Sequence, residues 1–213
     1  MSGDVLQEIY SRLKEHFGEQ HWWPGETPFE IMVGAVLTQN TNWSNVEKAI
    51  QRLRDAGLLN LEKMVELPPA LLAEYIRPAG YYNIKAGRLL NLCNCIVQHA
   101  AGSVDDFLAQ PIEELRPLLL RVKGIGPETA DSIILYAANQ PVFVVDTYTH
   151  RILSRHQIIE EESDYYTLQD LFMENLELDV GLYNEYHALL VQTGKHFCKK
   201  KKPDCTHCPL DGV

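Results

Sequence analysis

The stretch Leu118-Leu119-Leu120-Arg121-Val122-Lys123-Gly124-Ile125-Gly126-Pro127-Glu128-Thr129-Ala130 decides the fold. An apolar helical run ends, Gly-Ile-Gly turns the chain, and Pro127 stands where a second helix would begin, as its fixed φ favours. Gly124 and Gly126 are expected to adopt positive φ and to let the backbone approach a partner closely. Ile125 is expected to pin the turn by packing between the two helices. Amides at the second helix's N-terminus present the positive end of its dipole, which suits a phosphate oxygen. The pattern alone fits either a tight turn between helices or a helix–hairpin–helix that holds a DNA backbone without reading bases.

Outward from the hairpin the pattern stays helical. Val5, Leu6, Ile9, Tyr10, Leu13 and Phe17 fall on one face of a first helix, with Asp4 as its expected N-cap. Residues 21–28 form a break rich in Trp, Pro and Gly, followed by a buried apolar helix from Phe29 to Leu37. Ser44-x-x-Glu47 reads as a capping box opening a helix to about Ala56. Further helices are expected at about 69–76, 83–101, 111–122, 127–138, 146–156, 165–176 and 182–193. Val142 to Val145 is too short to carry a sheet. The fold class is all-α, with joints marked by Pro and Gly.

Composition bounds the function classes. The 213 residues are 46% hydrophobic and 23% charged, which supplies a core and excludes disordered and fibrous classes. No apolar run approaches the ~18–20 residues of a membrane helix. Met1-Ser2-Gly3-Asp4 lacks the basic and apolar regions of a signal peptide, so a cytoplasmic location is expected, nucleoid-associated if bacterial. The net charge of −10 argues at first against a nucleic-acid binder, but the charge is segregated. Residues 156–194 hold nine acids and no Lys or Arg, whereas residues 195–213 hold five lysines against two aspartates. Salt screens exposed charges beyond ~8–10 Å, so a local basic surface can still hold phosphates. Of the five cysteines, Cys93 and Cys95 lie in an apolar helical run and read as small buried hydrophobes. Cys198-x6-Cys205-x2-Cys208 lies in a lysine-rich tail and suggests a metal or cluster.

Twenty residues after Gly126, Val144-Val145-Asp146-Thr147-Tyr148-Thr149-His150-Arg151 brings Asp146 to the start of a helix as an apparent N-cap. The hairpin, this aspartate at this spacing, Leu37-Thr38-Gln39-Asn40-Thr41 and the cysteine tail together resemble the helix–hairpin–helix DNA glycosylase superfamily, in its endonuclease III-like branch. The resemblance covers nearly the whole chain. It implies an enzyme that flips a damaged base from the duplex and cuts its N-glycosidic bond. It gives Asp146 the catalytic role: a carboxylate stabilises the oxocarbenium-like sugar and can orient or deprotonate the attacking water. Bifunctional relatives carry a Schiff-base lysine two residues after the second glycine, where this chain has Glu128. Glutamate forms no imine, so a monofunctional glycosylase with weak or absent AP lyase activity is expected. Lys123, Gly124, Ile125 and Gly126 match the DNA grip, and Gln39 and Asn40 match the region that fills the space left by the flipped base.

The layout Trp22-Trp23-Pro24, then Gln39-Asn40-Thr41 and Trp43, is similar to a subgroup that removes 3-methyladenine-type lesions. That resemblance makes Trp22, Trp23, Pro24 and Trp43 candidates for the base pocket, with Lys195 able to face it. N-alkylated purines are cationic, stack well on indole, and have weakened glycosidic bonds. The tail resembles an iron–sulfur loop, Cys-x6-Cys-x2-Cys-x5-Cys, matched by Cys198, Cys205 and Cys208, whose fourth cysteine would fall at position 214. A [4Fe-4S] cluster with a fourth ligand outside this chain is one reading; zinc held with His207, or no metal, is the other. Lys199, Lys200, Lys201 and Lys202 would face the DNA backbone. Two helical lobes are expected with a cleft between them, residues 25–138 in one, and 1–24 with 139–213 in the other. The expected partner is damaged duplex DNA, bound by a monomer. The rival readings are a bifunctional glycosylase/AP lyase for oxidised pyrimidines and a non-catalytic DNA-binding hairpin module.

Overall fold

The computed structural model describes residues 2–22 and 25–213. Among these residues it is helical, without a strand. The order is α1 (Ser2–Phe17), α2 (Pro28–Thr38), α3 (Trp43–Asp55), α4 (Leu61–Val65), α5 (Pro69–Tyr75), a 3-10 turn (Arg77–Ala79), α6 (Tyr82–Ala100), α7 (Val104–Leu108), α8 (Ile112–Arg121), α9 (Pro127–Tyr136), α10 (Thr147–Arg155), α11 (Tyr165–Asn175) and α12 (Val180–His196). No described helix is long and apolar enough to cross a membrane. The chain divides into two compact units, one of residues 25–140 and one of residues 2–22 with 141–213.

The first unit is built around α2. Met32, Val36 and Leu37 are fully buried, and α2 packs against α3, α6 and α9. Each such side chain contributes about 1.5–3 kcal/mol of burial free energy. The hairpin helices α8 and α9 are tied by a two-pronged ion pair, Arg116 Nε to Asp131 Oδ1 at 2.7 Å and Nη2 to Oδ2 at 2.9 Å. The Asp131 side chain is fully buried, so the pair fixes the angle at which the hairpin leaves the core.

In the second unit Leu6, Ile9 and Leu13 line the buried face of α1. The Val142–Val145 segment is buried outside any helix, and Phe143 stacks on Phe172 at 3.8 Å. Tyr186 Oη donates to Leu6 O at 2.8 Å, locking α12 to α1.

Local details differ from the sequence expectations. Helix α1 starts at Ser2, so Asp4 lies in its first turn, not at its cap. Helix α3 is capped by Asn42, whose side chain accepts from Asn45 N, and Ser44 falls inside the first turn. Asparagine caps as well as serine, and being two residues earlier it intercepts the free amide first. The short α4 and α7 and the 3-10 turn were not expected: three to five residues are too few to show a helical period.

Candidate active site

The hairpin turn separates the roles of its glycines. Gly124 has φ +98°, and a Cβ there would stand 2.4 Å from Arg88 Cγ. Gly126 has φ −99° and ψ 179°, an extended conformation open to any residue, and a Cβ there would meet nothing within 4 Å. The expectation of positive φ at both glycines is therefore corrected to Gly124 alone. Gly126 caps α9 without a side-chain hydrogen bond. Ile125 is buried as expected, while Lys123 and Glu128 are exposed, Glu128 in the first turn of α9.

One face of α6 braces the turn. Asn91 Nδ2 donates to Lys123 O at 3.0 Å, and Arg88 packs over Gly124. Gln39 Nε2 donates to Gly124 O at 3.0 Å and to Thr129 Oγ1 at 2.9 Å, while its Oε1 accepts from Arg88. The Gln39 amide is thus engaged with the hairpin, and the exposed side chain of the pair is Asn40, at φ +53°. Lys85, one turn earlier on α6 and buried, donates to Leu37 O at 2.7 Å, Thr41 Oγ1 at 2.5 Å and Ala79 O at 2.8 Å. Burial, with Arg88 nearby, lowers its pKa to about 8, which leaves it charged at neutral pH. Its three protons match three acceptors and fix the Gln39-Asn40-Thr41 loop. Sequence reading missed this brace, because lysine and arginine in an amphipathic helix ordinarily read as solvated.

Asp146 caps α10. Its Oδ1 accepts from Thr149 N at 2.7 Å and Thr149 Oγ1 at 2.9 Å. Its Oδ2 lies 3.6 Å from His187 Nε2 on α12, with side-chain exposures of 12% and 10%. Burial pushes the Asp146 pKa up, but His187 and the Thr149 donors outweigh it, so the carboxyl sits below the ordinary aspartate value. The result is a nearly buried, ionised carboxylate. His187 was not anticipated; its one sequence signal is a titratable residue in the buried run Tyr186–Val191.

The same two helices lock together further along. A Cβ on Gly194 would stand 2.1 Å from the Tyr148 ring, so only glycine lets α12 approach there. Arg151 lies over that ring at 4.9 Å. Arg151 Nε donates to Cys198 O at 2.7 Å, and Arg155 Nη1 donates to Lys199 O at 2.8 Å and lies 3.3 Å from Cys198 Sγ. Helix α10 therefore carries Asp146 at one end and grips the cysteine tail along its length.

Of the pocket candidates, Trp22 is half-buried and faces the Lys195 ammonium, 5.7 Å from its ring. Trp43 is half-buried at the start of α3. Trp23 and Pro24 lie outside the described residues. In the tail, Lys199, Lys200, Lys201 and Lys202 are all exposed. Cys198 is buried, Cys208 half-buried and Cys205 exposed. His207 Nδ1 is paired with Asp204 Oδ1 at 2.7 Å. Among the described residues no group of three or more His, Cys, Asp or Glu is arranged to hold a metal. Cys198, Cys205 and Cys208 supply three of the four thiols that a [4Fe-4S] cluster takes.

The geometry accords with what the chain is similar to. Residues 33–178 match the model of the HhH-GPD superfamily of base excision DNA repair proteins. A Methanocaldococcus jannaschii protein provisionally named a DNA repair glycosylase is 44% identical over 209 residues, covering 97% of this chain and 94% of its own. The crystal structure of H. pylori 3-methyladenine DNA glycosylase (MagIII) bound to 1,N6-ethenoadenine is 33% identical, with a TM-score of 0.77 over 91% of this chain and 97% of that one. A trapped endonuclease III–DNA covalent intermediate, 22% identical, shares the fold with a TM-score of 0.84 over 99% of this chain and 94% of that one. A family match over most of the chain and a relative at this identity, added to the hairpin and the capped aspartate, leave one assignment: the chain belongs to the HhH-GPD superfamily, as a base-excision-repair DNA glycosylase of endonuclease III-like fold.

Proposed function

We propose that the protein is a monofunctional glycosylase that hydrolyses the N-glycosidic bond of a flipped alkylated purine, of the 3-methyladenine type, in duplex DNA. The observation that carries this reading is Asp146, an ionised and nearly buried carboxylate anchored at a helix start. As the base departs, positive charge develops on the sugar. A fixed carboxylate in a low-dielectric site stabilises that charge without reorganising. It also orients the water that attacks C1′ and accepts its proton. A base that already carries a positive charge leaves without an acid from the protein.

The residue at position 128, where bifunctional relatives carry the Schiff-base lysine, supports hydrolysis: it is an exposed glutamate in the first turn of α9. The similarity to MagIII, named for 3-methyladenine, supports the substrate class. Trp22 supplies an indole face, worth about 1–3 kcal/mol for a stacked base. Lys195 occupies one face of Trp22 in this structure and would yield to a stacking base. The N-terminus of α9 and the amides of Gly124 and Gly126 hold phosphates.

A base-release screen over a lesion panel, run with and without AP-endonuclease treatment, tests the reading. Release of 3-methyladenine with strands cut only after that treatment is expected. Borohydride trapping of a covalent adduct, or release of oxidised pyrimidines alone, would overturn it in favour of a bifunctional lyase. Asp146→Asn should abolish release and spare DNA binding, because asparagine keeps the cap but not the charge. Iron content and visible absorption of the purified protein decide the tail: brown, iron-containing protein would support the cluster reading, and colourless, iron-free protein would refute an assembled cluster in that preparation.

A further inference from the structure

We infer that His187 is a positioning residue for Asp146: it orients Oδ2 as the working oxygen, while Thr149 reserves Oδ1 for the helix cap. The inference rests on the role proposed for Asp146. An ionised carboxylate offers about four lone-pair sites. Thr149 fills both of those on Oδ1, with its N–H at 2.7 Å and its hydroxyl at 2.9 Å. Oδ1 has no lone pair left for substrate. The oxygen that meets the water or the developing cation is therefore Oδ2, and His187 Nε2 faces it at 3.6 Å.

At that distance the pair is an electrostatic contact and not a hydrogen bond of normal length. Contacts of this kind tighten when a reactive complex forms. Nε2 donates in the imidazolium and in the Nε2–H tautomer alike. Once the contact tightens onto one lone pair of Oδ2, a single lone pair remains for the water or the developing cation.

The placement of His187 is itself over-determined. It sits on α12 two turns before Gly194, where the Tyr148 ring closes on the glycine backbone. Tyr186 beside it is bonded to α1 through Leu6 O at 2.8 Å. Helix α12 brings His187, α10 brings Thr149, and the Val142–Val145 segment brings only apolar side chains. From α11, the Tyr165 hydroxyl lies 3.5 Å from Val145 N.

The test compares wild type, His187→Gln, His187→Phe and Asp146→Asn in single-turnover base release from duplex DNA containing a cationic alkylpurine. Affinity for a tetrahydrofuran abasic-site duplex and thermal melting are measured alongside. His187→Phe should lower the chemical rate about 10- to 100-fold, the equivalent of one hydrogen bond to a charged group, measured below its own melting transition and with affinity little changed. His187→Gln, which keeps a donor, should recover part of the rate. The acid limb of the rate profile should move to higher pH in His187→Phe, because Asp146 then loses a group that favours its charged form. A merely structural role would not move that limb. Wild-type rate and an unmoved acid limb in His187→Phe, with Asp146→Asn inactive, would overturn this inference alone. A wild-type rate in Asp146→Asn would overturn the catalytic reading beneath it. A His187→Phe protein that melts early and recovers its full rate on cooling would assign His187 to stability.

Discussion

At the scale of single residues, Asp146 does two jobs with two oxygens. The cap role and the chemical role are compatible because they use different atoms. A carboxyl whose folded pKa lies below its unfolded value stabilises the native state above the unfolded value. That contribution is lost as pH falls through the folded pKa. Asp146 is such a group, with burial opposed by His187 and Thr149. Its share of stability and of base release should therefore persist below the ordinary aspartate value of about 3.9. Single-turnover rates from neutral to acid pH check this, and an Asp146-dependent limb centred above that value would contradict it. The buried thiols behave oppositely: burial pushes Cys93 up to about 12 and raises Cys95, so both are inert hydrophobes, as their apolar surroundings in sequence suggested. The aspartate was legible because a cap acts within three residues. Its histidine was not, because it arrives from another helix.

At the scale of elements, the hairpin is a turn held from outside. Lys85, Arg88 and Asn91 recur every three residues along one face of α6 and reach the α2 end, the Gly124 backbone and Lys123 O. The two glycines should consequently respond differently. Gly124→Ala places a Cβ at positive φ against Arg88 and should cost about 1–3 kcal/mol. Gly126→Ala should leave melting within about 0.5 kcal/mol and weaken duplex binding, since its backbone conformation is ordinary and its exposure is what a phosphate needs. Thermal melts and binding isotherms on both variants separate the cases; equal destabilisation would refute the distinction. The sequence marked the turn, because Gly and Pro act locally. It could not mark the brace, because whether a lysine points to solvent or to three buried oxygens depends on neighbouring helices.

At the scale of the whole molecule, the net charge of −10 hides two populations. Nine acids lie in residues 156–194, and four consecutive exposed lysines lie in the tail. Each phosphate contact contributes about −0.9 to the slope of log affinity against log salt. Replacing Lys200 and Lys201 by alanine should reduce that slope by about 1–2 and weaken damaged and undamaged duplexes alike. An unchanged slope in salt titrations would remove the tail from the interface. What the sequence by itself determined is the all-helical class, the hairpin and the capped aspartate. Helical period, proline and glycine geometry and N-cap chemistry all operate within a turn or two of chain. Only the tertiary structure decided that Gln39 bonds to Gly124, 85 residues away, that Arg151 and Arg155 hold the cysteine tail, and that His187 faces Asp146. Those contacts depend on which faces of distant helices meet, and that is set by packing of the whole core, which no local stretch of sequence encodes.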